Sequence, residues 1–374
     1  MNILNPKKAV SSFLIFVFVL ILCQGIAYPQ EFASPGKIVF IKSDKAAASG
    51  FFARQGDKIY VFTSIFALAK GGLLFYTSDG KPVKTGQFEM ASDRDLVRIS
   101  VDSTAAGFFE IDEENVMGEK GTIPSVVMKD SNGEKKTEIQ TFSGTVVGIG
   151  PEFFRITSPG TASDIAGSPV ICENGKAVGA MSYEIPSLIK SRIDRKDNKS
   201  ISMYVVRWEN NTCARLNGEI RWLPVKPQDL VAQAKLITES RNFVDAYMAI
   251  MHLWYTKPYD QIDPGGAPVE MKVWIDDHNR KMANSAKYIA NMESDINHYQ
   301  EQARLLQESA KTDGMRLASF ISTKATAVKN ADGSPYIKLY YSETMKLFEA
   351  ITQTVSCRSN NLTYIYPNVI NKGN

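Results

Sequence analysis

The chain has 374 residues, 44% of them hydrophobic and 22% charged, with 25 glycines and 16 prolines. These proportions are ordinary for a globular protein and exclude a collagen-like, low-complexity or wholly disordered chain; the length predicts two domains. The formal net charge is +3, so composition makes no electrostatic case for nucleic acid as a partner.

Lys7 and Lys8 precede an uncharged apolar run from Ala9 to Leu22, and small residues follow at Gly25 and Ala27. The run is shorter than the ~20 residues that cross a bilayer. The pattern predicts a secretory signal peptide over residues 1–27. The protein is therefore expected to be exported, periplasmic or extracellular, with an uncleaved membrane anchor as the alternative. No second apolar run of membrane length follows. Of the four cysteines, Cys23 lies in the leader, which leaves Cys172, Cys213 and Cys357. An oxidising compartment permits a disulfide among these, and their spacing does not fix the pairing. No Cys/His spacing suggests zinc, and neither a metal nor another cofactor is expected.

From Lys37 to Leu223 short β-type runs alternate with turn residues. The runs include Lys37–Lys42, Lys58–Thr63, Leu73–Thr77, Leu96–Val101, Thr145–Ile149, Pro169–Cys172, Ala177–Met181 and Met203–Val206. Turns are marked by Gly56-Asp57, Asp79-Gly80, Asn132-Gly133 and Asn174-Gly175. Many short strands at this spacing predict a β-sandwich or β-barrel domain over residues 32–224. The basic cluster Lys190, Arg192, Arg195, Lys196 and Lys199 is interrupted by Asp194 and Asp197 and reads as a solvent loop between strands.

After Pro224 the texture changes, and residues 227–374 read as an α-helical domain. A helix is predicted from about Pro227 to Lys257, a second from about Glu270 to Thr312, and a third from about Ile337 to Val355. On the second, Ile289, Met292, Ile296, Tyr299, Ala303, Leu306 and Ala310 repeat at three and four. Such a seam packs within a helical bundle or joins two copies of the chain as a coiled coil. The three histidines, His252, His278 and His298, all fall in this half. No Ser-His-Asp or Cys-His site can then be built within the β-rich half alone.

Three stretches of the β-rich half resemble the trypsin-like serine peptidase superfamily, above all its bacterial exported, Deg-like members. Val61-Phe62-Thr63-Ser64-Ile65-Phe66-Ala67-Leu68 matches the strand and helical turn that carry the catalytic histidine, with Phe66 in the histidine's place. Ser92-Asp93-Arg94-Asp95-Leu96-Val97 resembles the strand entry that carries the triad aspartate, which would be Asp95. The stretch from Thr161 to Gly179 resembles the nucleophile loop, with Gly167 and Pro169 as anchors. Ala166 then stands at the nucleophile, Ser168 at a glycine, and Asp164 at the oxyanion-hole glycine, so that Asp164, Ile165 and Ala166 span the oxyanion loop. The resemblance covers about residues 37–222. It implies a trypsin-like double β-barrel followed by the α-helical C-terminal domain, with a groove between barrels that takes extended peptide as an added strand.

The departures bear on the chemistry. Ala166 has no oxygen to attack with, and Phe66 has no nitrogen to accept a proton. The expectation is a degenerate triad at Phe66, Asp95 and Ala166, and a non-catalytic module that binds a peptide or protein. One alternative is a working endopeptidase with relocated groups, Ser163 or Ser168 with Lys176 as base. Another is a structural protein that interacts, or forms homo-oligomers, through its C-terminal helices.

Overall fold

The computed structural model describes residues 35–256, apart from 44–45, 103–106, 113, 115, 132–133, 158–164, 195–199 and 210, together with isolated positions between 263 and 347. The Ile289–Ala310 seam lies outside the described residues, as do Ser163, Asp164 and Cys357.

A first β-unit begins with β1 (Ile38–Lys42), β2 (Ala47–Gln55) and β3 (Lys58–Thr63), then a short helix α1 (Ile65–Gly71). It continues through β4 (Leu74–Thr77), β5 (Thr85–Ala91), β6 (Val97–Val101) and the two-residue β7 (Phe109–Glu110). The second unit contains the long hairpin of β8 (Lys120–Ser131) and β9 (Glu134–Ile149), then β10 (Phe153–Ile156), β11 (Pro169–Ile171) and β12 (Ala177–Met181). A projecting hairpin of β13 (Ile185–Asp194) and β14 (Ser200–Glu209) follows, then β15 (Thr212–Arg215) and β16 (Trp222–Pro224). Helix α2 (Pro227–Thr256) comes last.

Strands β10-β15-β12-β11-β8-β9 close into a barrel. The first unit is a curled sheet in the order β16-β5-β6-β3-β2-β1-β4, with β7 parallel to β2. It departs from the expected second closed barrel in one respect: among the described residues no ladder joins β4 to β5. Strand β16 returns from the second unit to pair with β5, Trp222 opposite Ala91, and so carries the chain back to the first. Lys190 and Arg192, expected in a loop, lie on β13, opposite Tyr204 and Ser202 of β14.

Alternation along the strands explains the continuous apolar runs. On β1, Val39 and Ile41 enter the core of the first unit, whereas Ile38 and Phe40 enter a second core shared with Ile171, Ala177, Ala180 and Ala214 of the barrel. Val61 and Phe62 of β3 divide in the same way. Successive strand residues point to opposite faces, so a sheet buried on both faces needs apolar residues at every position. The interior of the barrel is a third core, built on Ile123, Val146, Phe154, Val170, Met181 and Cys213.

Helix α2 starts on Pro227, where a missing N–H leaves no bond unmade. Leu230, Ala234 and Ile237 follow at helical spacing, are fully buried, and belong to the same core as Val39, Phe52 and Tyr183. Burial of Leu230 and Ile237 contributes roughly 2 kcal/mol each. Tyr340 joins that core as well; its ring meets Tyr183 edge-on at 5.3 Å and its hydroxyl donates to the carbonyl of Ile237 at 3.2 Å. Among the described residues, no helix is long and apolar enough to cross a membrane.

Candidate functional site

The site is assembled at the seam between the two units. Ser64 caps α1: its backbone is extended and its hydroxyl accepts the Ala67 N–H at 3.1 Å. That cap starts the helix immediately after β3 and places Phe66 in its first turn, half-buried, with its ring centroid 6.1 Å from that of Tyr183.

Asp95 sits just before β6 and is 2% exposed. Its Oδ1 accepts the Ile65 N–H at 2.7 Å, and its Oδ2 accepts the Ser182 hydroxyl at 2.9 Å and the Tyr183 N–H at 3.1 Å. The Phe66 N–H also donates to it. A carboxylate facing the first N–H groups of a helix is well placed. Burial nevertheless dominates and pushes the carboxyl up to about 6, with the four donors acting in the opposite direction. Asp95 thus bonds α1 of the first unit to the end of β12 in the second. Arg94 beside it does the same work: it is 6% exposed, pairs with Asp93, and donates to the carbonyls of Arg215 and Asn217 at 3.1 and 3.3 Å.

The turn Ile165-Ala166-Gly167-Ser168 enters β11. The Ser168 N–H donates to the Ile165 carbonyl at 3.1 Å, the Gly167 N–H to the Met181 carbonyl at 2.8 Å, and the Met181 N–H to the Ser168 carbonyl at 2.8 Å. Gly167 has φ +82°, and a Cβ there would stand 2.2 Å from the Ser49 carbonyl oxygen and 2.5 Å from Thr63 Oγ1. Only glycine lets this turn lie flat on β2 and β3. The close seating carries Ala166 toward α1.

Phe66 and Ala166 line one cavity of about 360 Å³, next to Ala48, Ala67, Ala69, Ile165 and Ser182. Its other wall is α2, through Lys235, Thr238, Glu239 and Arg241, with Lys70 of α1 and Glu184 at the mouth. Arg241 forms an ion pair with Glu184, lies 5.0 Å over the Trp208 ring, and approaches Asp245 at 3.7 Å. Burial raises the Glu184 carboxyl above the ordinary range against the pull of Arg241 and Lys70. Desolvation lowers the Lys70 ammonium, opposed by the charge of Glu184.

The structure brings Phe66, Asp95, Ile165 and Ala166 together at this seam, and Asp164 lies outside the described residues. The cavity holds neither a hydroxyl at position 166 nor an imidazole at position 66. Of the relocated groups, Ser163 lies outside the described residues. Ser168 is fully buried, and its hydroxyl has no hydrogen-bond partner among the described residues. The Lys176 N–H is bound to Asn174 Oδ1 at 2.9 Å, within the turn before β12. Cys172 and Cys213 are buried free thiols. Ser182, Tyr183, Glu184, Lys70 and Arg241 were not legible as site residues. The available signal was Ser182-Tyr183-Glu184 directly after the buried run Ala177–Met181, a polar group at the end of a core strand.

No family model matches the chain, and no curated protein does either. Solved structures similar to it are proteases. A Glu endopeptidase in complex with MPD is 15% identical with a TM-score of 0.33, over 48% of this chain and 86% of that one. The serine endoprotease from Yersinia pestis is 15% identical with a TM-score of 0.31, over 41% and 55%. A catalytically inactive tobacco etch virus protease complexed with substrate is 15% identical with a TM-score of 0.30, over 51% and 87%. Each overlap is weak and spans about half of this chain or less.

Proposed function

We propose that this chain is an exported, non-catalytic protein of trypsin-like fold that binds a peptide or protein partner through the cleft between its two β-units. One observation carries the reading: Phe66 and Ala166 face the same cavity beside Asp95, where the resembled enzymes need a base and a nucleophile. A triad works because each member completes the next, and here only the orienting carboxylate is present. That carboxylate is already committed to backbone and hydroxyl donors of the two units. Binding does not need the missing groups, since strand addition and pocket filling use backbone polar groups and apolar surface. The leader over residues 1–27 supports an envelope or extracellular location.

The test is incubation of the purified mature chain with a fluorophosphonate probe and with fluorescent casein, beside an active serine peptidase. No labelling and no turnover are expected. Labelling that disappears in Ser168→Ala or Ser163→Ala would instead establish a relocated nucleophile.

A further inference from the structure

The cavity between Phe66 and Ala166 is bounded by side chains too short to fill it. Ala48, Ala67, Ala69 and Ala166 present methyl groups, and Phe66 and Ile165 supply the larger apolar surfaces. Helix α2 commits Leu230, Ala234 and Ile237 to the core and sets Lys235, Thr238 and Glu239 on the cavity side, so among the described residues it adds no apolar side chain to the lining. Protein interiors pack nearly as densely as organic crystals, with few voids larger than a water molecule. An apolar space of about 360 Å³ is far larger and falls within the roughly 300–1,000 Å³ of small-molecule sites.

We propose that this cavity binds a neutral, apolar small molecule, an aromatic compound of one or two rings. The charges around it favour no ion of either sign. In the lining Lys70, Lys235 and Arg241 are set against Glu184 and Glu239, with Asp245 beside Arg241 and Asp95 behind Ser182. Arg241 is already paired with Glu184, while Lys70, Lys235 and Glu239 stand exposed, where water solvates them. A charged ligand would give up its hydration for a site of balanced charge. Both lining hydroxyls have donated their protons within the protein: Ser182 to Asp95 Oδ2 at 2.9 Å, Thr238 to the Ala234 carbonyl at 3.1 Å. A neutral ring matches what is left. It stacks on Phe66, covers the alanine methyls, and displaces water that has few polar partners there. With α2 as one wall the space suits a compact molecule, and the proposal stands apart from the binding of a polypeptide along the cleft.

The experiment is isothermal titration calorimetry of the mature full chain at pH 7 with a matched set of probes: 1-naphthylmethanol, 1-naphthoate and 1-naphthylmethylammonium. The neutral alcohol is expected to bind at least tenfold tighter than either ion. Ala166→Leu, which fills the cavity, should weaken its binding at least tenfold. Circular dichroism guards against loss of the fold, and Ala69→Leu, at a half-buried position of α1, serves where Ala166→Leu does not fold. Equal or tighter binding of either ion overturns the neutral site. Absence of binding by the alcohol, or binding that neither substitution weakens, overturns the cavity as a ligand site and leaves the partner-binding reading standing.

Discussion

Asp95→Asn probes the seam between the two units, and its magnitude follows from the geometry. Burial pushes the native carboxyl up to about 6, whereas the same group in the unfolded chain titrates near its ordinary 3.8. The folded state therefore holds a proton more tightly than the unfolded state. Such a group adds stability as pH falls through 6 toward 4 and withdraws it as pH rises. The shift of about two units corresponds to about 3 kcal/mol, most of it gained between pH 7 and pH 4. An asparagine cannot titrate, so this slope disappears. The amide oxygen still accepts the Ile65 N–H, but the amide nitrogen then faces the Tyr183 N–H, and one unpartnered donor costs about 1–3 kcal/mol at every pH. The assay is urea unfolding of wild type and variant at pH 7, 6, 5 and 4. Glu184 shifts in the same direction but is common to both proteins, so the difference between the two curves isolates Asp95. Two parallel stability curves would refute the account of Asp95 as a carboxylate whose burial outweighs its four donors.

Gly167→Ala should destabilise the protein by about 4 kcal/mol or prevent folding, because its Cβ would overlap the Ser49 carbonyl in a left-handed backbone; an unchanged melting temperature would contradict the packing described. Cys172 and Cys213 should resist a thiol reagent at pH 8 until the protein is denatured. Burial pushes the Cys172 thiol up to about 12 and raises that of Cys213 well above the ordinary thiol range; rapid modification of the native protein would count against both placements. Arg241→Ala should cost about 1–2 kcal/mol, a value reduced by the partial exposure of the ion pair, and should speed hydrogen exchange in α2. Exchange at the wild-type rate would mean that the pair does not hold the helix.

Much of the β-half was legible because its strands obey local rules. Lys58–Thr63 and Ala177–Met181 were readable residue for residue, and the helix expected from about Pro227 to Lys257 is described over Pro227–Thr256. What escaped was the strand made of small residues. Strand β2 opens Ala47-Ala48-Ser49-Gly50, with low strand propensity, and is fixed by tertiary bonds instead: the Ser49 hydroxyl accepts the Val126 N–H at 2.8 Å and its carbonyl accepts the Thr63 hydroxyl at 2.7 Å. Strand β8 carries Gly121 and Pro124 and was likewise invisible to pattern. At the site, Phe66, Asp95 and Ala166 emerged from resemblance, since single residues at fixed offsets survive in sequence. Glu184 and Arg241 did not, because they meet across 57 positions of chain through the packing of α2, which no local period encodes.

The residues around the cavity differ in how much of the fold rests on them. Phe66 and Ala166 line the cavity, and the Phe66 ring packs against the core and Tyr183. Asp95 stands differently. Its two oxygens serve N–H groups of α1 on one side and Ser182-Tyr183 on the other, so its removal orphans buried donors in both units at once. Truncation of Asp95 would therefore open the seam that forms the pocket. Asp95, Arg94 and Gly167 hold the walls of the cavity between Phe66 and Ala166 in place.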